Sequence, residues 1–335
     1  MENKFKNFGI IGAGAWGTAI ATALIRTGRD ATLWAYEADI VSAVNTQHEN
    51  KTYLPGVKLD TALKATNNLQ DLVACDALVI ATPAQHTRAI VKQLKAVLGD
   101  KRIPLIIAAK GIEQTSMALL SDVIAQELPQ APIAILSGPS FAIEVAKGLP
   151  AALTLAIKDK DLGEQLLQAM ANPTFRLYLT DDVIGAQIGG AVKNVLAVAC
   201  GVIAGRNMGD NARAALITRG LTELTRLGIA LGGKAETLMG LSGMGDLVLT
   251  CSSPQSRNMS LGMALGQGKK LSDILGARAS VTEGVYTAAA ALKLAQKHNV
   301  DMPIVASVDA VLNRGADIDV MIAGLLARPL KTEGV

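Results

Sequence analysis

Residues 12–17 read Gly12-Ala13-Gly14-Ala15-Trp16-Gly17, directly after the apolar run Phe8–Ile11 and directly before Thr18–Arg26, a segment of helical period. No other feature constrains the chain as strongly. Gly12 permits a tight turn, Gly14 lets the backbone come close to a ligand, and Gly17 lets the helix pack against the strand. The helix start left open by such a turn offers N–H donors and a partial positive charge, which suits a pyrophosphate. The spacing alone is weak evidence. The strand before it, the helix after it and a second strand ending about twenty residues on make it the dinucleotide turn of a βαβ unit.

The rest of the first half agrees with that start. Short apolar runs at Phe8–Ile11, Ala31–Ala35, Ala77–Ala81, Leu105–Ala109 and Ile133–Leu136 alternate with helical segments such as Arg88–Leu98 and Met117–Leu128. This is the pattern of a parallel sheet covered on both faces. Ala152–Ile157 and Phe175–Leu179 read as two more strands, and after Thr180 strand signals stop. Ala212–Leu227, Gln255–Leu265 and Thr282–His298 carry Ala, Leu and Gly at helical spacing. The predicted fold is therefore α/β: a Rossmann-like, mostly parallel sheet domain over 1–185 and an all-α substrate-binding and catalytic domain over 186–335. Two domains also suit a 335-residue chain at the usual ~100–200 residues per domain. Thr180 or Asp181 is expected to cap the first long helix, with the active site in the cleft between the domains.

Composition excludes several function classes. The net charge of +3 comes from 32 basic and 29 acidic residues with no basic run, so no nucleic-acid footprint is expected. Cys75, Cys200 and Cys251 lack CxxC spacing, and His48, His86 and His298 are scattered, so neither a disulfide framework nor a metal site is expected. Met1–Lys6 has no signal-peptide pattern. Val183–Gly205 imitates a membrane span but carries Gln187, Lys193 and Asn194. A lysine near a bilayer centre costs roughly 2.5–3.5 kcal/mol, so this stretch reads as the buried central helix of a cytoplasmic protein with no membrane span.

Several residues carry chemistry. The second strand runs into Tyr36 and Glu37, where an acid binds the ribose of NAD and a base the phosphate of NADP. Glu37 is equally readable as a solvated charge, which leaves the cofactor choice open. Lys110 closes Leu105–Ala109 at the carboxyl end of a strand, where ligands of open sheets bind, and Gly111 is expected to let the backbone turn. Ser137-Gly138-Pro139-Ser140 follows another strand and is expected to open a helix, with Pro139 in its first turn and Ser140 free to hold an oxygen. Lys193 and Asn194 interrupt a segment apolar on nearly every face; burial lowers an amine pKa toward the range useful for proton transfer. A structural lysine–carboxylate pair is the rival reading. Asp246, in the glycine-rich Gly240–Thr250 stretch, is placed to bind a substrate hydroxyl or orient Lys193. Ser256-Arg257-Asn258 groups a hydroxyl, a guanidinium and an amide suited to a phosphate or carboxylate.

Together these blocks resemble one family, the bacterial-type NAD(P)-dependent glycerol-3-phosphate dehydrogenases. The resemblance rests on Gly12–Gly17, Ala109-Lys110-Gly111, Leu136–Ala142, Gly190–Asn194, Leu241–Asp246, Ser256–Asn258 and Val281-Thr282-Glu283-Gly284, in order along nearly the whole chain. It implies NAD(P)H as cofactor and Lys193 as the proton donor and acceptor. It implies that Lys110, Lys193, Asp246, Ser256, Arg257 and Asn258 hold the substrate beside Gly138 and Ser140. Gly12, Gly14, Ala15, Trp16, Gly17, Tyr36, Lys110, Ala142, Arg257, Val281 and Glu283 would hold the cofactor. Ala15 stands where members often have serine, and Tyr36 where many have Arg or His. The implied reaction is reversible reduction of dihydroxyacetone phosphate to sn-glycerol 3-phosphate, the backbone of glycerophospholipids, by a homodimer. The alternatives are a β-hydroxyacid or ketopantoate-type dehydrogenase of similar architecture, whose substrate is a carboxylate, and a catalytically silent nucleotide-sensing protein.

Overall fold

The computed structural model describes residues 4–277 and 281–329, together with Thr332. Residues 1–3 and 330–335 apart from Thr332, the outer ends of the two expected domains, lie outside the described residues. The chain folds as an eight-stranded sheet followed by a helical array.

The strands are β1 (Asn7–Ile11), β2 (Asp30–Trp34), β3 (Glu49–Asn50), β4 (Leu54–Lys58), β5 (Lys64–Thr66), β6 (Ala77–Ile80), β7 (Leu105–Ile107), β8 (Ile133–Ser137), β9 (Ala151–Ile157) and β10 (Phe175–Thr180). The main sheet has the order β10-β9-β8-β7-β6-β1-β2-β5. Every pair in it is parallel except β8 with β9, which run antiparallel. Its central strands β6 and β7 are apolar and buried throughout because both faces are covered, while the edge strands β5 and β10 alternate buried and exposed residues. Ile10, Leu33, Val79 and Ile106 enter the core on one face, while Ile11, Trp34, Leu78, Ile80 and Ile107 enter the core on the other. The period of two along a strand distributes neighbouring side chains between these two layers.

Helices α1 (Ala15–Arg26), α2 (Ala38–Gln47), α3 (Thr87–Leu98), α4 (Leu120–Glu127), α5 (Ala142–Ala146) and α6 (Lys160–Met170) accompany the sheet. The excursion from α2 to β5 carries little sequence signal: β3 has two residues and β4 contains Pro55-Gly56. Instead the buried Asn50 side chain pins it, donating to Ala13 O at 2.8 Å and Thr18 Oγ1 at 2.9 Å.

The helical part comprises α7 (Val183–Gly205), α8 (Asp210–Ala230), α9 (Ala235–Met239), α10 (Asp246–Ser252), α11 (Arg257–Gly266), α12 (Leu271–Gly276), α13 (Glu283–Lys297), α14 (Pro303–Arg314) and α15 (Ile318–Leu326). Its first cap is Asp182, not Thr180 or Asp181; the Asp182 carboxylate accepts from Gly185 N at 2.8 Å and Lys234 N at 2.8 Å. It thereby joins the start of α7 to the start of α9, a long-range contact that local spacing does not reveal. α7 is apolar on all sides because the other helices surround it. Against α11 the backbones nearly touch: a Cβ on Gly201 would lie 2.1 Å from Met259 O, and one on Gly262 2.0 Å from Val198 O. Among the described residues α7 is the one helix long and apolar enough to cross a membrane, with a mean hydropathy of 1.7, but 78% of that window is buried inside the protein.

Candidate active site

The glycine turn lies between β1 and α1, and the helix begins at Ala15, earlier than Thr18, so Ala15 and Trp16 belong to its first turn. Gly12 has φ 113°, a conformation that favours glycine. A Cβ on Gly17 would lie 1.9 Å from Gly12 O, whereas one on Gly14 would meet nothing within 4 Å. The turn is thus closed on its protein side and open on its outer side, where a pyrophosphate can approach the helix start. The Trp16 indole Nε1 is buried without a partner. So is Glu283 Oε2, while its Oε1 accepts from Ala84 N at 2.9 Å. Orphaned polar atoms beside an open turn fit a bound polar group such as a dinucleotide.

Lys110 lies beyond β7, which ends at Ile107; Ala108 N and Ala109 N both donate to Ile80 O, which breaks the regular ladder at the strand's carboxyl end. Gly111 is needed for closeness and not for a special turn, since a Cβ there would lie 2.6 Å from Ala84 Cβ and its φ is not positive. The following loop is anchored by Gln85, which donates to Ile112 O at 2.9 Å, and by Arg88, which pairs with Glu113 at 2.7 Å. No motif announces these two supports.

Lys110 Nζ donates to Gly138 O at 3.0 Å and to Asp246 Oδ2 at 2.6 Å. Lys193 Nζ donates to Asp246 Oδ1 and, at 2.9 Å, to Thr250 Oγ1. One fully buried carboxylate is therefore shared by two lysines, one from the sheet-bearing part and one from α7. Gly189 explains the approach: a Cβ there would lie 2.2 Å from Ser242 O, so α7 contacts the glycine-rich turn Leu241–Gly245 one helical turn before Lys193. Burial lowers the Lys193 pKa to about 7; the Asp246 charge opposes this and the Lys110 charge adds to it. The carboxylate pairing of the rival reading is present, and it coexists with a lowered amine pKa. Thr250 went unrecognised in the sequence; its hydroxyl donates to Asp246 O at 2.6 Å and accepts from Lys193. Its only signal was its place one turn after Asp246, on the same helix face.

Ser256 is the N-cap of α11, its oxygen accepting from Met259 N at 3.2 Å. The Asn258 amide is turned inward, against expectation: Nδ2 donates to Asn194 Oδ1 at 2.9 Å and Oδ1 accepts from Gly284 N at 3.0 Å. It ties α11 to α7 and α13 through its oxygen and one of its two amide N–H groups, and the backbone N–H groups at the start of α11 are further donors for an anion. Arg257 stays open to solvent although protein surrounds its head group, as at the wall of a cleft, and burial lowers its pKa against the opposing Glu283 charge. Burial also raises the Glu283 pKa, opposed by the Ala84 N–H and by Arg257.

Gly138 follows β8, but Pro139 and Ser140 precede any helix, since α5 starts at Ala142 with Phe141 as its cap. Ser140 Oγ donates to Gly138 O at 3.0 Å, the carbonyl that Lys110 also uses. Tyr36 is 83% exposed past the end of β2, and Val281 lies just before α13. Among the described residues no cluster of His, Cys, Asp and Glu is arranged to hold a metal.

A family model described as NAD-dependent glycerol-3-phosphate dehydrogenase N-terminus matches residues 7–163, and one for the C-terminus matches 182–323. The chain belongs to the NAD-dependent glycerol-3-phosphate dehydrogenase family. Its match is full-length: glycerol-3-phosphate dehydrogenase [NAD(P)+] of Parvibaculum lavamentivorans is 52% identical over 333 residues, covering 99% of this chain and 100% of that protein. The glycerol-3-phosphate dehydrogenase of Coxiella burnetii superposes with a TM-score of 0.93 at 40% identity, covering 97% of this chain and 99% of that one. A ketopantoate reductase from Ralstonia eutropha has a TM-score of 0.57 at 15% identity, covering 94% of this chain and 99% of that one, a likeness of fold alone. The family thus supplies an oxidoreductase using NAD(P) and sets the ketopantoate-type alternative aside.

Proposed function

We propose that this chain interconverts dihydroxyacetone phosphate and sn-glycerol 3-phosphate, with Lys193 moving the proton. The observation that carries the reading is a buried amine with a pKa near 7, bonded to Asp246 and Thr250. An ammonium has three N–H donors; Asp246 and Thr250 take two, and the third is available to a substrate oxygen. The Gly12–Gly17 turn with Trp16, Ala142, Val281 and Glu283 would hold the dinucleotide, which when bound would supply the hydride for the substrate's C2. Lys193 polarises the C2 carbonyl and gives its proton to the oxygen as charge develops there, and takes it back in the reverse direction. Asp246 keeps the amine oriented and holds Lys110 beside the same carbonyl region. Arg257, the Ser256 hydroxyl and the first N–H groups of α11 receive the phosphate, where a guanidinium fork and a helix start both favour a dianion.

In this reading residues 1–185 carry the cofactor and 186–335 the substrate. The product is the glycerol backbone of glycerophospholipids, and three free thiols suit the cytoplasm. We assign the working form to a homodimer. The support is α15, in which no residue is buried although Val320 is 61% and Leu326 76% exposed; sedimentation at micromolar concentration giving a monomer would overturn this.

The deciding experiment compares dihydroxyacetone phosphate, ketopantoate and a 3-oxo acid in a dinucleotide absorbance assay. Turnover confined to dihydroxyacetone phosphate is expected. Turnover with only an oxo acid, or with none of the three, would replace the reading with one of its rivals.

A further inference from the structure

The adenosine end of the cofactor crevice carries a feature that the reaction does not use. β2 runs parallel to β1, with Ile11 beside Trp34 and Gly12 N donating to Trp34 O at 3.0 Å, so the residues after Trp34 stand next to the glycine turn. Glu37 is the N-cap of α2 in extended conformation, and its Oε1 accepts from the Tyr53 hydroxyl at 2.9 Å. Tyr53 is itself fixed, because its N–H donates to Asn50 Oδ1 at 3.2 Å while the Asn50 amide grips Ala13 O inside the glycine turn. A chain of hydrogen bonds thus runs from the dinucleotide turn through Asn50 and Tyr53 to the Glu37 carboxylate.

We propose that Glu37, held by Tyr53, makes this chain select NADH over NADPH. In a βαβ unit the carboxyl end of the second strand meets the adenosine ribose, where a carboxylate accepts from free hydroxyls and repels a 2′-phosphate. Glu37 is fixed, half-buried and close to a second carboxylate, Asp39, in the first turn of α2. The Tyr53 pKa is raised by burial, then by its bond to Glu37 and by the charges of Glu37 and Asp39, so both carboxylates act at this point. On the neighbouring strand the Thr66 hydroxyl is bonded to Asp71 at 2.5 Å, adding a third acid near the same sheet edge. Lys51, in the turn that also carries Tyr53, pairs with Glu49 at 3.9 Å. Tyr36, neutral and exposed, offers no cation to a phosphate.

The inference rests on the dinucleotide reading of the crevice, and direct binding separates the two. NADH and NADPH are titrated into the full-length protein without substrate, followed by calorimetry or by the fluorescence of the reduced nicotinamide, for the wild type, Glu37→Gln and Tyr53→Phe. NADH should bind at least about tenfold tighter at low ionic strength, the size expected for one like-charge juxtaposition, and added salt should narrow the gap. Glu37→Gln should tighten NADPH and weaken NADH, bringing the ratio toward one, while Tyr53→Phe should move it part of the way. Equal affinities, or tighter NADPH, in the wild type overturn the selectivity and leave the dinucleotide site intact. Binding of neither removes the dinucleotide reading and this inference with it.

Discussion

Lys110 and Asp246 meet at 2.6 Å although 136 residues separate them, and their contact joins the sheet-bearing part to the helical part. Because Lys193 holds the other oxygen of that carboxylate, the amine proposed to move the proton is oriented only when the two parts are docked. Removing one partner of a buried pair leaves an uncompensated charge and costs about 3–5 kcal/mol, so losing either lysine lowers stability as well as altering the site.

Lys193→Ala should lower kcat for dihydroxyacetone phosphate by roughly 10²–10⁴, the usual contribution of a general acid–base group. Dinucleotide affinity, measured by fluorescence titration, should change little. A matching loss of cofactor affinity would make Lys193 a structural residue.

Arg257→Ala should raise KM for dihydroxyacetone phosphate about ten- to a hundredfold, as expected for losing a charge-assisted bond of about 1.5–3 kcal/mol. Dihydroxyacetone, which lacks the phosphate, should be turned over equally poorly by both proteins. An unchanged KM for the phosphate ester would remove Arg257 from the clamp.

Gly17→Ala places a methyl group against the Gly12 carbonyl, 1.9 Å from the oxygen before any shift. Overpacking of this kind costs about 1–3 kcal/mol, so the melting temperature should fall and dinucleotide binding weaken together. Retention of full affinity would mean that the turn does not hold the pyrophosphate.

Glu223, buried in α8, caps α14 by accepting from Ile304 N at 2.8 Å and Val305 N at 3.2 Å. Burial outweighs those two bonds and raises its pKa to about 7. The folded protein therefore binds this proton more tightly than the unfolded chain, whose glutamate titrates near ~4.3. Stability from this group is fully present below that value and is lost as pH rises through about 7. Thermal unfolding at a series of pH values should show the decline in the wild type and a flatter profile for Glu223→Gln; identical profiles would contradict it.

Much of this was legible in the sequence because its signals are local. The glycine turn, the apolar runs and the long helices follow from spacing within one element, and Lys193 stood out as a charge inside the apolar α7. What escaped depends on contacts between distant segments. Asp182 caps α7 because it also meets α9, and the Asn258 amide turns inward because Asn194 and Gly284 receive it. Thr250 matters only once α10 lies against α7. The Glu37–Tyr53 contact bridges α2 and the turn before β4, a region whose strands are too short for periodicity to register.

The most direct test of Lys193 as the proton donor is the pH dependence of kcat/KM for dihydroxyacetone phosphate reduction in the wild type and in Asp246→Asn. The acid form of Lys193 is the active one for reduction, so the wild-type rate should fall as pH rises through about 7. Losing the Asp246 charge removes the influence that holds the pKa up, so the falling limb should move to lower pH. A wild-type profile flat across neutrality, or a limb that stays in place in Asp246→Asn, would contradict the account.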